Sequence, residues 1–156
     1  MKMKIFPERE YNFQYRFKRQ RAVEYLTVNT KHSGSLVSGI TTKSFIGKVD
    51  NQGFRLISST PGIGAFCVLT GTFHTDSCKV NAQVNKPFKI LAGIITLMMF
   101  ATIIMQLITK PGWKNMGLVI PLCMFFFGGS WYLKWTFKRS LHLSINKLNE
   151  ILIFQQ

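Results

Sequence analysis

Ile90-Leu-Ala-Gly-Ile-Ile-Thr-Leu-Met-Met-Phe-Ala-Thr-Ile-Ile-Met-Gln-Leu-Ile-Thr109 runs for 20 residues without a charge. As a helix rising about 1.5 Å per residue it spans about 30 Å, the thickness of a bilayer's hydrocarbon core. A second uncharged run, Met116 to Leu133, follows after only Lys110-Pro-Gly-Trp-Lys-Asn115. Two such runs side by side need a soluble protein far larger than 156 residues to bury them. Pro-Gly is a turn dipeptide, so the spans are expected to return antiparallel as a hairpin with both chain ends on one side.

Charge orients that hairpin. The chain carries 20 Lys/Arg against 6 Asp/Glu, a formal net charge of +14. Lys86, Lys89, Lys134, Lys138 and Arg139 flank the spans at the end opposite the loop, and Lys and Arg accumulate in cytoplasmic flanks. Both termini are therefore expected in the cytoplasm, with the chain integral to a membrane, the bacterial inner membrane in particular. Trp113 at the loop and Trp131, Tyr132 and Trp135 at the exit of the second span stand where aromatic rings settle at a lipid interface. Pro121 and Gly128-Gly129 lie inside the second span, as ordinary membrane-helix composition or as points of close helix approach. Neither span holds Asp, Glu, Lys, Arg or His, so a charged relay inside the hairpin has no groups to use, and any pore requires several copies of the chain.

Upstream, the periodicity changes. Tyr11-Asn-Phe-Gln-Tyr-Arg-Phe-Lys18 alternates aromatic and polar residues, the pattern of a strand with one apolar face. Ser44–Val49, the turn Asp50-Asn-Gln-Gly53 and Phe54–Ser58 read as a β-hairpin. Ala65–Phe73 and Cys78–Val84 around His74-Thr-Asp-Ser77 read as another, giving an antiparallel sheet of about five strands. Gln20–Thr27 fits either a short helix or more strand, and His32–Gly39 reads as loop. Leu141, Ile145, Leu148 and Leu152 recur at helical spacing, an apolar stripe free to cover the sheet, lipid or a second copy.

The expected fold class is membrane α+β: a basic, antiparallel β-rich cytoplasmic domain over residues 1–85, a transmembrane hairpin over 86–137 with spans at about 90–109 and 116–133, and a C-terminal amphipathic helix over 138–156. With no linker between Val84 and the first span, movement of the sheet has a direct route into the membrane helix.

Groups able to carry chemistry are sparse. His74, Asp76 and Cys78 alternate, but Thr75 and Ser77 make the stretch read as a polar turn rather than a metal site. Pro61-Gly-Ile-Gly64 lacks the Lys-Ser/Thr of a phosphate loop. Cys67 and Cys78 read as reduced, packed thiols, and the acids Glu8, Glu10, Glu24, Asp50 and Asp76 are scattered. No catalytic residue, metal or cofactor is assigned, and the expectation is a non-enzymatic protein. The concentrated feature is Arg16-Phe-Lys-Arg-Gln-Arg21, in which Arg16, Lys18, Arg19 and Arg21 form an anion- or lipid-binding cluster. Anionic headgroups are the favoured partner, a nucleotide or other small anion second, and polymeric nucleic acid last.

At Phe45-Ile-Gly-Lys-Val49, Gly53-Phe-Arg-Leu56 and Leu69-Thr-Gly71, followed by paired spans and a helical tail, the chain resembles small bacterial β-rich proteins with a two-helix membrane hairpin. In plan it is similar to the two-helix β-barrel effectors of nucleotide-signalled antiphage systems, although there the helices precede the barrel. The resemblance implies a β-domain that senses a ligand or partner and controls assembly of the hairpin, as a homo-oligomer in defence or stress. The alternative expectation is an accessory or anchoring subunit bound to a larger membrane protein complex.

Overall fold

The computed structural model describes residues 6–14, 19–37, 39–75, 77–109 and 116–154. It is an α+β protein with a six-stranded mixed sheet and three helices. The strands are β1 (Glu8–Gln14), β2 (Thr30–His32), β3 (Phe45–Val49), β4 (Gly53–Ser58), β5 (Cys67–Phe73) and β6 (Ser77–Val84); the helices are α1 (Arg19–Val28), α2 (Lys86–Thr109) and α3 (Met116–Asn149), the last closed by a π-helical turn at Glu150–Phe154. By contacts the chain divides into two units, Met1–Asn85 with Thr136–Gln156, and Lys86–Trp135.

The sheet order is β1-β6-β5-β4-β3-β2. The two hairpins expected from alternation and turn chemistry are β3–β4 and β5–β6, both antiparallel. The expectation of about five antiparallel strands is corrected at one edge, where β2 pairs parallel to β3, Thr30 opposite Phe45 and His32 opposite Gly47. Three residues give no alternation to read, and the partner lies across a connection of a dozen residues, so the pairing has no local signal. The first strand is also displaced. It begins at Glu8 and Arg19 already opens α1, which settles the ambiguity of Gln20–Thr27 as helix; the part of the expected strand at residues 15–18 lies outside the described residues.

Alternation gives the sheet a dry face. Phe45, Phe54, Leu56, Cys67, Leu69, Phe73, Cys78, Val80, Ala82 and Val84 share it, and all are buried. Two glycines keep this face close-packed. Gly47 has φ +152°, and a Cβ there would collide with the Arg55 carbonyl; Gly71 lies under the Phe54 ring, which takes the space a side chain would fill. The Phe54 ring meets Phe73 at 5.4 Å between centroids.

The helix layer comes from α1, through Ala22 and Leu26, from the last third of α3, through Phe137, Leu141 and Leu148, and from the π-helical turn, through Ile151 and Leu152. The apolar stripe of the C-terminal segment thus packs on the sheet, with α1 against the π-helical turn. Ser140 Oγ donates to the Ile63 carbonyl at 3.0 Å, and Lys147 Nζ donates to Thr60 Oγ1 at 3.1 Å and Ser58 Oγ at 3.4 Å. This segment is not a separate helix as expected, since α3 continues without a break from Met116 through the charged stretch at Lys134 to Arg139. Exposed charges on one side of a helix interrupt an apolar run in sequence but cost the backbone nothing.

Candidate membrane-anchoring surface and a groove of mixed charge

The chain enters α2 through one residue. β6 ends at Val84, α2 begins at Lys86, and Asn85 between them is buried. Its backbone N–H donates to the Phe66 carbonyl at 2.9 Å, and its Nδ2 donates to the carbonyls of Ala65 at 3.0 Å and Leu36 at 3.2 Å. Three donated bonds from one buried residue satisfy carbonyls on two separate connections of the sheet unit.

Helix α2 is apolar on every side. The stretch Lys86–Met105 has a mean hydropathy of 2.2 with none of its most apolar window buried, and it is long and apolar enough to cross a membrane. Leu91 is 53% exposed and Phe100 is 56% exposed, although nine residues apart they point to opposite sides of the helix. Ile90, Leu97, Met98, Met105 and Ile108 are also exposed. The hydroxyls on this surface are satisfied within the helix: Thr96 Oγ1 donates to the Ala92 carbonyl at 2.8 Å, and Thr102 Oγ1 shares the carbonyls of Met98 at 3.0 Å and Met99 at 2.8 Å. Internal satisfaction is what a helix needs where no water reaches it. Among the described residues, nothing stands within 4 Å of a Cβ built at Gly93, Gly128 or Gly129, so these positions carry no close helix approach within the chain.

Of the residues expected at a lipid interface, most of those described are exposed on their helices. Lys86 is exposed and Lys89 half-buried in the first turn of α2. On α3, Trp131, Tyr132 and Trp135 fall on one side by their spacing, all exposed, with the rings of Tyr132 and Trp135 6.1 Å apart; Lys134, Lys138 and Arg139 are exposed beside them. Aromatic rings and long cationic side chains together on one stretch of helix match the chemistry of a lipid headgroup boundary. Trp113 lies outside the described residues.

The basic cluster is divided by the structure. Arg16 and Lys18 lie outside the described residues, while Arg19 and Arg21 open α1 rather than ending a strand. The Arg19 guanidinium donates to the Asn51 carbonyl in the β3–β4 turn, beside an open groove of about 450 Å³ lined by Arg19, Gln20, Val23, Glu24 and Asn51. Glu24 places a carboxylate in the same groove, and Arg21 does not line it. Arg19 thus ties α1 to the turn, and the groove is of mixed charge.

Among the described residues no three His, Cys, Asp or Glu side chains gather as a metal site; His74 is exposed in the β5–β6 turn, Cys78 is buried and Asp76 is outside the described residues. Cys67 and Cys78 sit at opposite ends of the β5–β6 hairpin, paired with Val84 and Phe73, which puts them about 20 Å apart at roughly 3.3 Å per residue and far beyond disulfide reach. Burial pushes the Cys67 thiol up from 9.0 to about 12. Two features escaped the reading of the sequence. One is Asn85, whose partners are carbonyls from distant connections; the other is the pair Lys48 and Arg55, which the four-residue turn between their strands could have placed opposite one another.

No family model matches the chain, and neither a curated protein nor a solved structure matches it.

Proposed function

We propose that this chain is a non-enzymatic integral membrane protein in which α2 and the first part of α3 form a hairpin in the bilayer, with the sheet unit and both termini on the cytoplasmic side. In this reading the sheet unit senses a ligand or partner and controls how copies of the hairpin assemble, as a defence or stress effector of the bacterial inner membrane. The observation that carries the reading is the all-round apolar exposure of α2. A water-soluble protein does not leave such a surface uncovered, and lipid is the solvent that suits it. The sensing part of the reading is supported by Asn85, which leaves no slack between the last strand and the helix.

Purification of the full chain from membranes in mild detergent tests this. The expected result is retention in the membrane pellet after alkaline carbonate, homo-oligomers in detergent, and loss of membrane potential on overexpression. A carbonate-soluble chain sinks the anchoring reading. A monomer that co-purifies with a stoichiometric second polypeptide and leaves the potential unchanged replaces the effector by an anchoring subunit of a larger complex.

A further inference from the structure

The side of the sheet opposite the dry face is electrically uneven. On it, β1 and β6 carry matched groups: Lys79 Nζ lies 3.0 Å from Glu10, and Asn81 Nδ2 donates to Glu8 at 2.6 Å. At the other end the pairing register sets Lys48 of β3 directly opposite Arg55 of β4, and Lys31 of β2 is paired with Ile46, two residues before Lys48 on the same face. Directly opposed side chains of an antiparallel pair have Cβ atoms about 4.5–5.5 Å apart, and Lys31 stands on the next strand of the same face, so three long cationic side chains extend from neighbouring positions. All three are exposed, and among the described residues none makes an ion pair or hydrogen bond. Asp50, two residues beyond Lys48, forms no salt bridge with them. Thr70 stands opposite Arg55 on β5, half-buried, with its hydroxyl directed to the same face.

Like charges set directly opposite each other destabilise a sheet, and an antiparallel pair elsewhere on this same face shows the ordinary remedy, a carboxylate across the strand. Among the described residues no carboxylate stands across the strand from Lys48 or Arg55. We propose that Lys31, Lys48 and Arg55, with the Thr70 hydroxyl, form a phosphate-binding site that takes a phosphate monoester or a diphosphate. A dianion answers several cations at once; Arg55 offers a planar pair of N–H donors to two phosphate oxygens, the lysines offer ammonium groups, and Thr70 a hydroxyl donor. The site is separate from the Arg19 groove and does not depend on the membrane reading.

The test uses the full chain in a neutral detergent, with inorganic pyrophosphate as the soluble probe and vesicles of phosphatidylcholine with or without phosphatidic acid as the headgroup source. Pyrophosphate binding by the wild type, weakened about tenfold or more in Lys48→Gln/Arg55→Gln and changed less than about twofold in Lys79→Gln, supports a soluble ligand. Binding confined to phosphatidic acid vesicles, and lost in the same double variant, supports the same site filled by a headgroup phosphate. Because the double variant removes a repulsion, its melting temperature without ligand should equal or exceed that of the wild type, which separates lost binding from lost folding. Equal binding by wild type and double variant in both arms, or no binding by the wild type in either, overturns the proposal.

Discussion

Helix α2 and the last third of α3 are built from the same kinds of residue and use them in opposite ways. From Phe137 onward α3 turns Leu141, Leu148 and Leu152 into the sheet unit and leaves Lys138, Arg139 and His142 outside. Helix α2 shows Leu91, Leu97, Phe100 and Met105 to its surroundings and turns no polar side to water. The first pattern is amphipathic and needs a protein partner, which the sheet supplies. The second is exposed on all sides and is long and apolar enough to cross a membrane.

That contrast breaks most readily at Leu148, which is fully buried. Leu148→Ala should cost about 2–5 kcal/mol of the sheet unit's stability, seen as a lower melting temperature, whereas Leu97→Ala should leave that melting unchanged. A comparable loss for both would mean that α2 is a protein core helix. Next in size is Leu97→Arg, which places a cation midway along α2 and should cost about 2.5–3.5 kcal/mol in membrane insertion. Its readout is the fraction of chain released by alkaline carbonate; full retention contradicts a spanning helix.

The junction sharpens the comparison, since Asn85 belongs to the dry interior and opens the exposed helix. Asn85→Ala leaves the Ala65 and Leu36 carbonyls without their donor and should cost about 1–3 kcal/mol in thermal unfolding, with faster amide exchange at the residue 85 N–H that donates to the Phe66 carbonyl. Unaltered exchange there would remove the latch. Smallest at neutral pH is the effect at Cys67. Its folded thiol is raised to about 12 while the unfolded thiol titrates near 9.0, so the unfolded chain loses this proton first and the sheet unit loses stability as pH rises above 9. One pH unit above 9.0 the expected loss is about 1.4 kcal/mol, absent in Cys67→Ala, and a pH profile identical in both would show that the site is wet.

The sequence discloses what is local. A charge-free run of 20 residues, alternation on both sides of Asp50-Asn-Gln-Gly53, and the spacing of Leu141, Leu148 and Leu152 each lie within a short stretch of chain, and the corresponding helix, hairpin and buried stripe are in the structure. What escapes is set by partners far along the chain. β2 exists because β3 offers it an edge; α3 runs on past Lys134 because only one side of it meets the sheet. For the candidate sites the difference is similar. A cluster such as Arg16 to Arg21 is visible as a string, yet Arg19 is spent on the Asn51 carbonyl, while Lys48 and Arg55 come together only through register.

The placement of the last third of α3 on the sheet also sets an order of events during synthesis. The six strands are complete in the chain at Val84, but Phe137, Leu141, Leu148 and Leu152, which cover their dry face, come after all of α2 and most of α3. At roughly 5–20 residues per second a ribosome needs several seconds to bridge that interval. Through it Phe45, Leu56 and Leu69 stand without their lid while the whole of α2 is already synthesised. A chain halted anywhere in α2 would present a finished strand set with an open apolar face, a substrate for chaperones and proteases.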